Sequence, residues 1–297
     1  MAKSNNYTLN AMNINHFGTL YVVATPIGNL RDMTLRAIEI LKSVSCIAAE
    51  DTRHSMPLLQ HFAISTTAIS LHEHNERERS ITLLEQMKQG KSIALISDAG
   101  TPLISDPGYF LVREARKSGI KVVPIPGVSA IIAALSVSGL PTDRFSFEGF
   151  LPAKTKHRLE QLELLKHESR TMIFYEAPHR ILKCLQDMEK IFGKDREVVV
   201  ARELTKLYET IHGAPLSDLI QWIEEDDNRK RGEFVVIVSG TQIESPQENT
   251  IADDDILKIL LDELPLKQAV ELAAKIVKKR KNELYQKALE FQNKLRK

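Results

Sequence analysis

Ser92–Gly108 reads SIALISDAGTPLISDPG. Ile93 to Ile96 form an unbroken apolar run, the mark of a strand buried on both faces of a parallel sheet. The run stops at Ser97-Asp98, and the chain turns through Ala99, Gly100, Thr101 and Pro102. Gly100 supplies backbone angles closed to other residues, and Pro102 stiffens the exit. A second acidic turn, Ser105-Asp106-Pro107-Gly108, opens a helical stretch from Tyr109 to Lys117. Open α/β sheets bind ligands beyond the carboxyl ends of their strands, where both turns fall. A carboxylate beside free backbone N–H groups there suits a ligand with hydroxyls and a cationic centre. Two ordinary strand-to-helix turns would carry the same residues.

The same strand–loop–helix unit repeats on either side. Leu20–Ala24 is an apolar strand ending in Thr25-Pro26-Ile27-Gly28-Asn29. A helix follows, with Asp32 or Thr34 as N-cap and Leu35, Ile38 and Leu41 at helical spacing. Val44–Ala49 is a second strand, ending in the polar Glu50-Asp51-Thr52-Arg53-His54. A weaker strand near Ala63–Ser70 leads through Leu71-His72-Glu73-His74-Asn75-Glu76 to a charged helix that stops at Gly90. Lys121–Ile125 is a further strand, and Pro126-Gly127-Val128-Ser129-Ala130 opens an apolar helix to about Gly139. This repetition implies a parallel sheet covered on both faces.

Pro141–Lys156 (PTDRFSFEGFLPAKTK) breaks the pattern and reads as a junction. Beyond it come helix Lys156–Lys166, strand Thr171–Tyr175, a helix ending at Gly193, strand Glu197–Ala201, a helix near Leu216–Ile223 and strand Glu233–Ser239. Helices and strands no longer alternate regularly, so a mixed α+β sheet is expected. Three amphipathic patterns close the chain: Leu257/Leu260/Leu261/Leu264, Val270/Ala273/Val277 and Leu284/Ala288/Phe291/Leu295. The expected organisation is a polar lead (1–17), a parallel α/β domain (18–140), the junction (141–156), an α+β domain (157–240), a linker (241–252) and a helix-turn-helix-like tail (253–297).

Composition excludes several classes. The chain has 297 residues, 43% hydrophobic and 27% charged, with a formal net charge of +1. No apolar run approaches the roughly 18 residues of a membrane span, so no membrane partner is expected. Cys46 and Cys184 lie far apart in apolar runs and read as buried, reduced thiols of a cytoplasmic protein. Charge is uneven: Lys275–Lys297 holds nine Lys/Arg against two Glu. Such a tail suits phosphate, and equally the solvated face of a terminal helix. GxGxxG, GxxxxGK[ST], a nucleophile elbow and paired-Cys metal spacing are all absent from the sequence. His72 and His74 are spaced by two, but such pairs in polar loops rarely ligate metal, and no metal is expected.

TPIGNL, AAEDTR, LHEHNE, SDAGTPLISDPG, PIPGVSA, FYEAPHR, ARELTK and GEFVVIV occur in this order. Their succession closely resembles one group of the tetrapyrrole-methylase superfamily, which methylates the 2′-hydroxyl of a cytidine in the decoding region of 16S rRNA in the small ribosomal subunit. The resemblance spans residues 18–240, and the tail is similar to that group's C-terminal appendage. SDAGTPLISDPG is long and specific, whereas TPIGN or PGVSA alone is weak.

The resemblance implies a two-domain class III fold, an S-adenosyl-L-methionine cofactor in the cleft between the domains, and a homodimer. Carried over residue by residue, the cofactor lining is Pro26, Ile27, Gly28 and Asn29, then Asp98, Ala99, Gly100, Thr101 and Pro102. Ser129, Ala130 and Tyr175 complete it with Ala201, Arg202, Glu203 and Leu204. Methyl transfer from a sulfonium depends mainly on alignment, and a weakly acidic ribose hydroxyl gains from a base or a nearby cation. Asp51 and Asp106 are the candidate bases and Lys206 the candidate cation, each equally readable as a helix cap or surface ion pair. Arg53, His72, Asn75 and Arg180 suit phosphate or ribose, and Lys278, Lys279, Arg280 and Lys281 suit more distant rRNA. Two other readings keep the fold: a tetrapyrrole or protein methyltransferase, and a non-catalytic RNA-binding assembly factor. The polar motifs and basic tail disfavour the former, and the intact SDAGTP and PGVSA turns disfavour the latter.

Overall fold

The computed structural model describes residues 17–241 and 253–295 apart from 278 and 280. The expected lead, but for Phe17, and the expected linker beyond Thr241 lie outside the described residues. The chain divides into a unit ending at Thr241 and a C-terminal unit.

In the first half, β1 (Thr19–Val23), α1 (Leu35–Ser43), β2 (Cys46–Ala49), α2 (Thr52–His61), β3 (Ala68–Ser70) and α3 (Glu76–Lys88) precede the central strand β4 (Ile93–Ile96). Then come α4 (Tyr109–Lys117), β5 (Lys121–Ile125) and α5 (Ala130–Val137). The sheet has five strands in the order β3-β2-β4-β1-β5, every pair parallel. All four residues of β4 are buried, as the unbroken apolar run requires. Leu41, Leu59 and Ile47 pack on one face, and Leu83, Met87 and Leu111 on the other. Full burial of each such side chain contributes about 1.5–3 kcal/mol relative to exposure. Thr34 is the N-cap of α1, its hydroxyl accepting the Ala37 N–H at 3.2 Å.

The topology juxtaposes three loops. β4, β1 and β5 are neighbouring parallel strands, so the loops leaving their carboxyl ends lie side by side at one edge of the sheet. Thr25 and Gly100 tie two of them, with N–H···O bonds of 2.8 and 3.0 Å in the two directions.

The second half holds β6 (Phe145–Phe150), α6 (Thr155–Leu165), β7 (Thr171–Glu176), α7 (Ile181–Phe192), β8 (Glu197–Arg202), β9 (Thr210–Pro215), α8 (Leu216–Glu224) and β10 (Phe234–Val238). Its five-stranded sheet runs β6-β7-β10-β8-β9, with β6 and β7 parallel and the remaining pairs antiparallel. Helices α6, α7 and α8 cover one face through Leu162, Leu185 and Leu219. On the other face α5 packs Ile131, Ala134 and Leu135 against Ile173, Val199 and Ile237.

Three elements depart from expectation. Residues after the polar end of β2 form α2, because Asp51 caps it. The junction contains β6, whose F-S-F-E alternation is interrupted by Gly149 and flanked by prolines. The edge strand β9 carries Gly213 and Pro215, which weaken a strand signal.

The C-terminal unit consists of α9 (Asp253–Glu263), α10 (Leu266–Ile276) and α11 (Lys281–Leu295). Leu257, Val270, Ala273, Leu284 and Ala288 form its core, following the three expected apolar stripes.

Candidate active site

A cleft of about 350 Å³ lies at the carboxyl edge of the first sheet, facing the second. The β1 loop contributes Ile27, and the β4 loop contributes Ala99, Gly100, Thr101, Ile104, Ser105 and Asp106. Ser129 and Ala130 enter from the start of α5, and Phe150 from the end of β6. The second sheet adds Tyr175 through Pro178, Ala201, Leu204 and Glu233 through Val235. Such a volume suits a small-molecule site.

The β4 loop needs unusual backbone. Gly100, Leu103, Ser105 and Gly108 all have positive φ, from 72° to 121°. Thr101 Oγ1 donates to the Val128 carbonyl at 3.0 Å, joining this loop to the one after β5. The loop's closing glycine is fixed from outside, since Glu76 Oε1 accepts the Gly108 and Phe110 N–H groups at 3.0 and 2.8 Å.

Ten of the residues expected at the site line the cleft: Ile27, Ala99, Gly100, Thr101, Asp106, Ser129, Ala130, Tyr175, Ala201 and Leu204. Others support it from behind. Asn29 caps a short turn by accepting the Arg31 N–H, and Gly28 leaves space for the Lys206 stem, 2.5 Å from where a Cβ would stand. Asp98 Oδ1 accepts the Asp51 N–H at 3.1 Å. Arg202 donates to the carbonyls of Asn228, Arg231 and Tyr208, and Glu203 accepts the Glu233 N–H. Neither these nor Pro26 and Pro102 line the cleft.

Of the three candidate catalytic groups, Asp106 alone lines the cleft. Asp51 caps α2 and pairs with Arg53 at 2.8 Å. Hydrogen bonds from the Arg53 side chain and N–H hold its carboxyl at about 2, a poor match for a base. Lys206 is engaged by Glu203 at 2.9 Å and Glu233 at 2.8 Å. Burial disfavours its charge, but the two carboxylates prevail and raise its pKa.

The residues expected to touch RNA divide in the same way. Arg53 is exposed, whereas Asn75 shapes its own turn, accepting the His72 N–H at 2.9 Å and donating to the Ser70 carbonyl. Arg180 is mostly buried, paired with Glu176 at 3.1 Å and donating to the Leu151 carbonyl. That is a structural task. Lys279 and Lys281 are described, Lys281 pairing with Glu271 at 3.1 Å, while Lys278 and Arg280 lie outside the described residues.

The charged residues lining the cleft are all acidic: Asp106, Glu176 and Glu233. Glu176 is matched by Arg180 and Glu233 by Lys206, and among the described residues no cation pairs with Asp106. Burial raises the Asp106 pKa, a Ser97 hydrogen bond opposes this, and Asp98 adds to it. Glu50 is raised by burial, then by Asp106 and Asp98. Tyr175 is pushed to about 12, by burial and then by the Asp106 charge. Asp106 is therefore the lining carboxylate, among the described residues, that no ion pair neutralises. Among the described residues no group of three His, Cys, Asp or Glu is disposed to hold a metal, and no helix is long and apolar enough to cross a membrane.

Ile104 and Ser105, inside SDAGTPLISDPG, are lining residues beyond the expected set, as are Phe150, Glu176–Pro178 and Glu233–Val235. The last two groups sit inside FYEAPHR and GEFVVIV, and those motifs carried their signal. Phe150 had none, being hidden in the junction.

Two covered sheets with a cleft at a strand-end crossing define a methylase of the tetrapyrrole type: residues 19–220 match the family model for Tetrapyrrole (Corrin/Porphyrin) Methylases. Residues 247–292 match the RsmI C-terminal HTH domain. The chain is 55% identical to a Pseudomonas aeruginosa protein named ribosomal RNA small subunit methyltransferase I, over 93% of this chain and 99% of the relative. It is 54% identical to a protein of the same name from Escherichia coli O157:H7, over 94% and 97%. The chain belongs to the tetrapyrrole methylases, in the family of these ribosomal RNA small subunit methyltransferase I proteins. In fold it is similar to the uroporphyrin-III C-methyl transferase of Thermus thermophilus, solved with S-adenyl homocysteine, at TM-score 0.52 and 18% identity over 75% of this chain and 97% of that one.

Proposed function

We propose that this chain is an S-adenosylmethionine-dependent rRNA methyltransferase acting on the 2′-hydroxyl of a cytidine in 16S rRNA. Kinship over nearly the full length of proteins named for small-subunit rRNA methylation carries the reading. The cofactor fits the residues present. Ile27, Ala130, Leu204 and Val235 offer apolar surface for an adenine, and the acidic interior suits the ammonium and sulfonium charges. When bound, it supplies a methyl group on sulfur that needs no covalent help from the protein.

The chain's own residues do the rest. Loops pinned by the Thr25–Gly100 and Thr101–Val128 bonds hold the ligand groups in fixed positions, so alignment is set before reaction. Asp106 receives the hydroxyl proton, its burial giving it a higher proton affinity than a surface carboxylate has. The helical C-terminal unit and its lysines grip rRNA through phosphate charge. The family resemblance further supports a cytoplasmic homodimer, which sedimentation tests.

Mapping methyl incorporation into unmethylated small subunits and free 16S rRNA tests the reading. Cofactor-dependent methylation of one cytidine ribose is expected. Methyl transfer only to a macrocycle or a protein, or no cofactor binding by calorimetry, overturns it.

A further inference from the structure

We propose that Phe150 is the platform on which a nucleobase of the RNA substrate stacks at the mouth of the cleft, an inference that rests on the rRNA methyltransferase reading above. The ring lines the cleft yet remains 54% exposed. Burial would stabilise a phenyl by about 1.5–3 kcal/mol, so leaving it at a cleft mouth suits a ring kept for an incoming partner.

A bulge puts the ring there. Along β6, Phe147 pairs with Ile173, but Gly149 pairs with Phe174 and Phe150 with Tyr175, so Glu148 is an extra residue. Side chains alternate between faces of a strand, and three positions after Phe147 the ring would join the opposite face, beside Met172 and Phe174. The extra residue returns Phe150 to the face shared by Phe147, Ile173 and Tyr175, which is the cleft face. Gly149, at φ 69°, makes the bulge accessible.

The ring is also pre-ordered. It leans on Tyr175 with centroids 5.5 Å apart, and Tyr175 packs edge-on against Phe147 at 4.9 Å. The backbone leaving it is clamped by two arginines. Arg180 donates to the Leu151 carbonyl, and Arg158 Nη1 to those of Pro152 and Ala153 at 3.1 Å each. Arg158 is itself fixed by the buried Asp187 at 2.6 Å. A ring held this way loses little freedom when a base settles on it. Past the clamp, Lys154, Lys156 and His157 are exposed, whereas the charged residues of the cleft lining are all acids. An aromatic face followed by lysines is the combination that receives an unstacked nucleotide and its phosphates.

The test uses the full-length chain, S-adenosylmethionine and unmethylated small ribosomal subunits. F150A and F150L are expected to lose about 5- to 150-fold in kcat/KM for the subunit, the worth of one base stack. F150W and F150Y keep activity within about threefold, since any aromatic face serves. Cofactor affinity by calorimetry stays at the wild-type level in all four, and the added indole emission of F150W is quenched by 16S rRNA. Full activity in F150L, or a cofactor loss in F150A matching its activity loss, overturns the proposal. A wild-type chain that methylates no rRNA fails the parent reading first and this inference with it.

Discussion

Asp98 Oδ1 accepts the Asp51 N–H at 3.1 Å, joining the loop after β4 to the N-cap of α2 across 47 residues of sequence. Two residues whose motifs suggest cofactor binding and catalysis thus hold each other in place. Asp51 in turn accepts the Arg53 N–H, so strand end, loop and helix start form one connected unit beside the cleft. Asp98→Ala strands a partly buried N–H and is expected to cost about 1–3 kcal/mol, whereas Asp98→Asn keeps an acceptor and costs less. Urea unfolding measures both. If Asp98→Asn weakens cofactor binding while stability holds, Asp98 belongs with the cofactor contacts after all.

What the sequence revealed follows from what kind of signal each element carries. The fully buried strands β4 and β10 announce themselves as IALI and FVVIV, and Tyr109–Lys117 reads directly as a helix. The edge strands β6 and β9 do not, because a bulge in one and Gly213 with Pro215 in the other interrupt the alternation. At the site, short motifs gave the loops but not which side of each loop faces inward. Asp98 and Asp106 look alike in sequence, yet Asp106, reached through positive φ at Gly100, Leu103 and Ser105, lines the cleft and Asp98 does not. Arg180 resembled a phosphate contact because the Leu151 carbonyl it reaches comes from a distant segment, although its ion partner Glu176 stands only four residues before it.

Asp106 sets a pH dependence. Burial and then Asp98 raise its carboxyl, against a Ser97 hydrogen bond, so the folded chain binds this proton more tightly than the unfolded chain does. Stability from this group therefore falls as pH rises from the unfolded value of about 4 through the folded one, and the whole penalty is present at neutral pH. Asp106→Asn is expected to be more stable than wild type at pH 7, with the difference vanishing near pH 4, in urea midpoints taken across that range. Its single-turnover methylation should fall by about 10²- to 10⁴-fold if the carboxylate takes the hydroxyl proton. An unchanged rate with weaker cofactor binding would reassign Asp106 to holding the cofactor.

Gly108 closes the second acidic turn at φ 121°, and a Cβ there would stand 2.7 Å from Leu95 Cδ2 in the core of β4. The substitution Gly108→Ala combines backbone strain with overpacking against a side chain that has nowhere to retreat. A loss of about 2–4 kcal/mol in urea unfolding is expected. Gly119→Ala is the internal comparison: it has positive φ of 74° but nothing within 4 Å, so it should cost about 1 kcal/mol through strain alone. Equal losses at the two positions would show that the Leu95 side chain relaxes freely.

The basic tail separates phosphate attraction from cofactor chemistry. Lys281 already has a partner in Glu271 at 3.1 Å, and Lys275 reaches the same carboxylate at 3.8 Å, so reversing Lys281 would place two acids together and disturb the α10–α11 pair. Lys278, Lys279 and Arg280, the cationic run between α10 and α11 in the sequence, are changed together instead. Reversing these three to Glu is expected to weaken rRNA binding and make its log–log salt dependence shallower by about two, at roughly 0.7–0.9 for each phosphate no longer neutralised. Cofactor affinity should not move. Binding measured at several salt concentrations decides the matter, because a tail that serves only to solvate a terminal helix would leave the slope where it was.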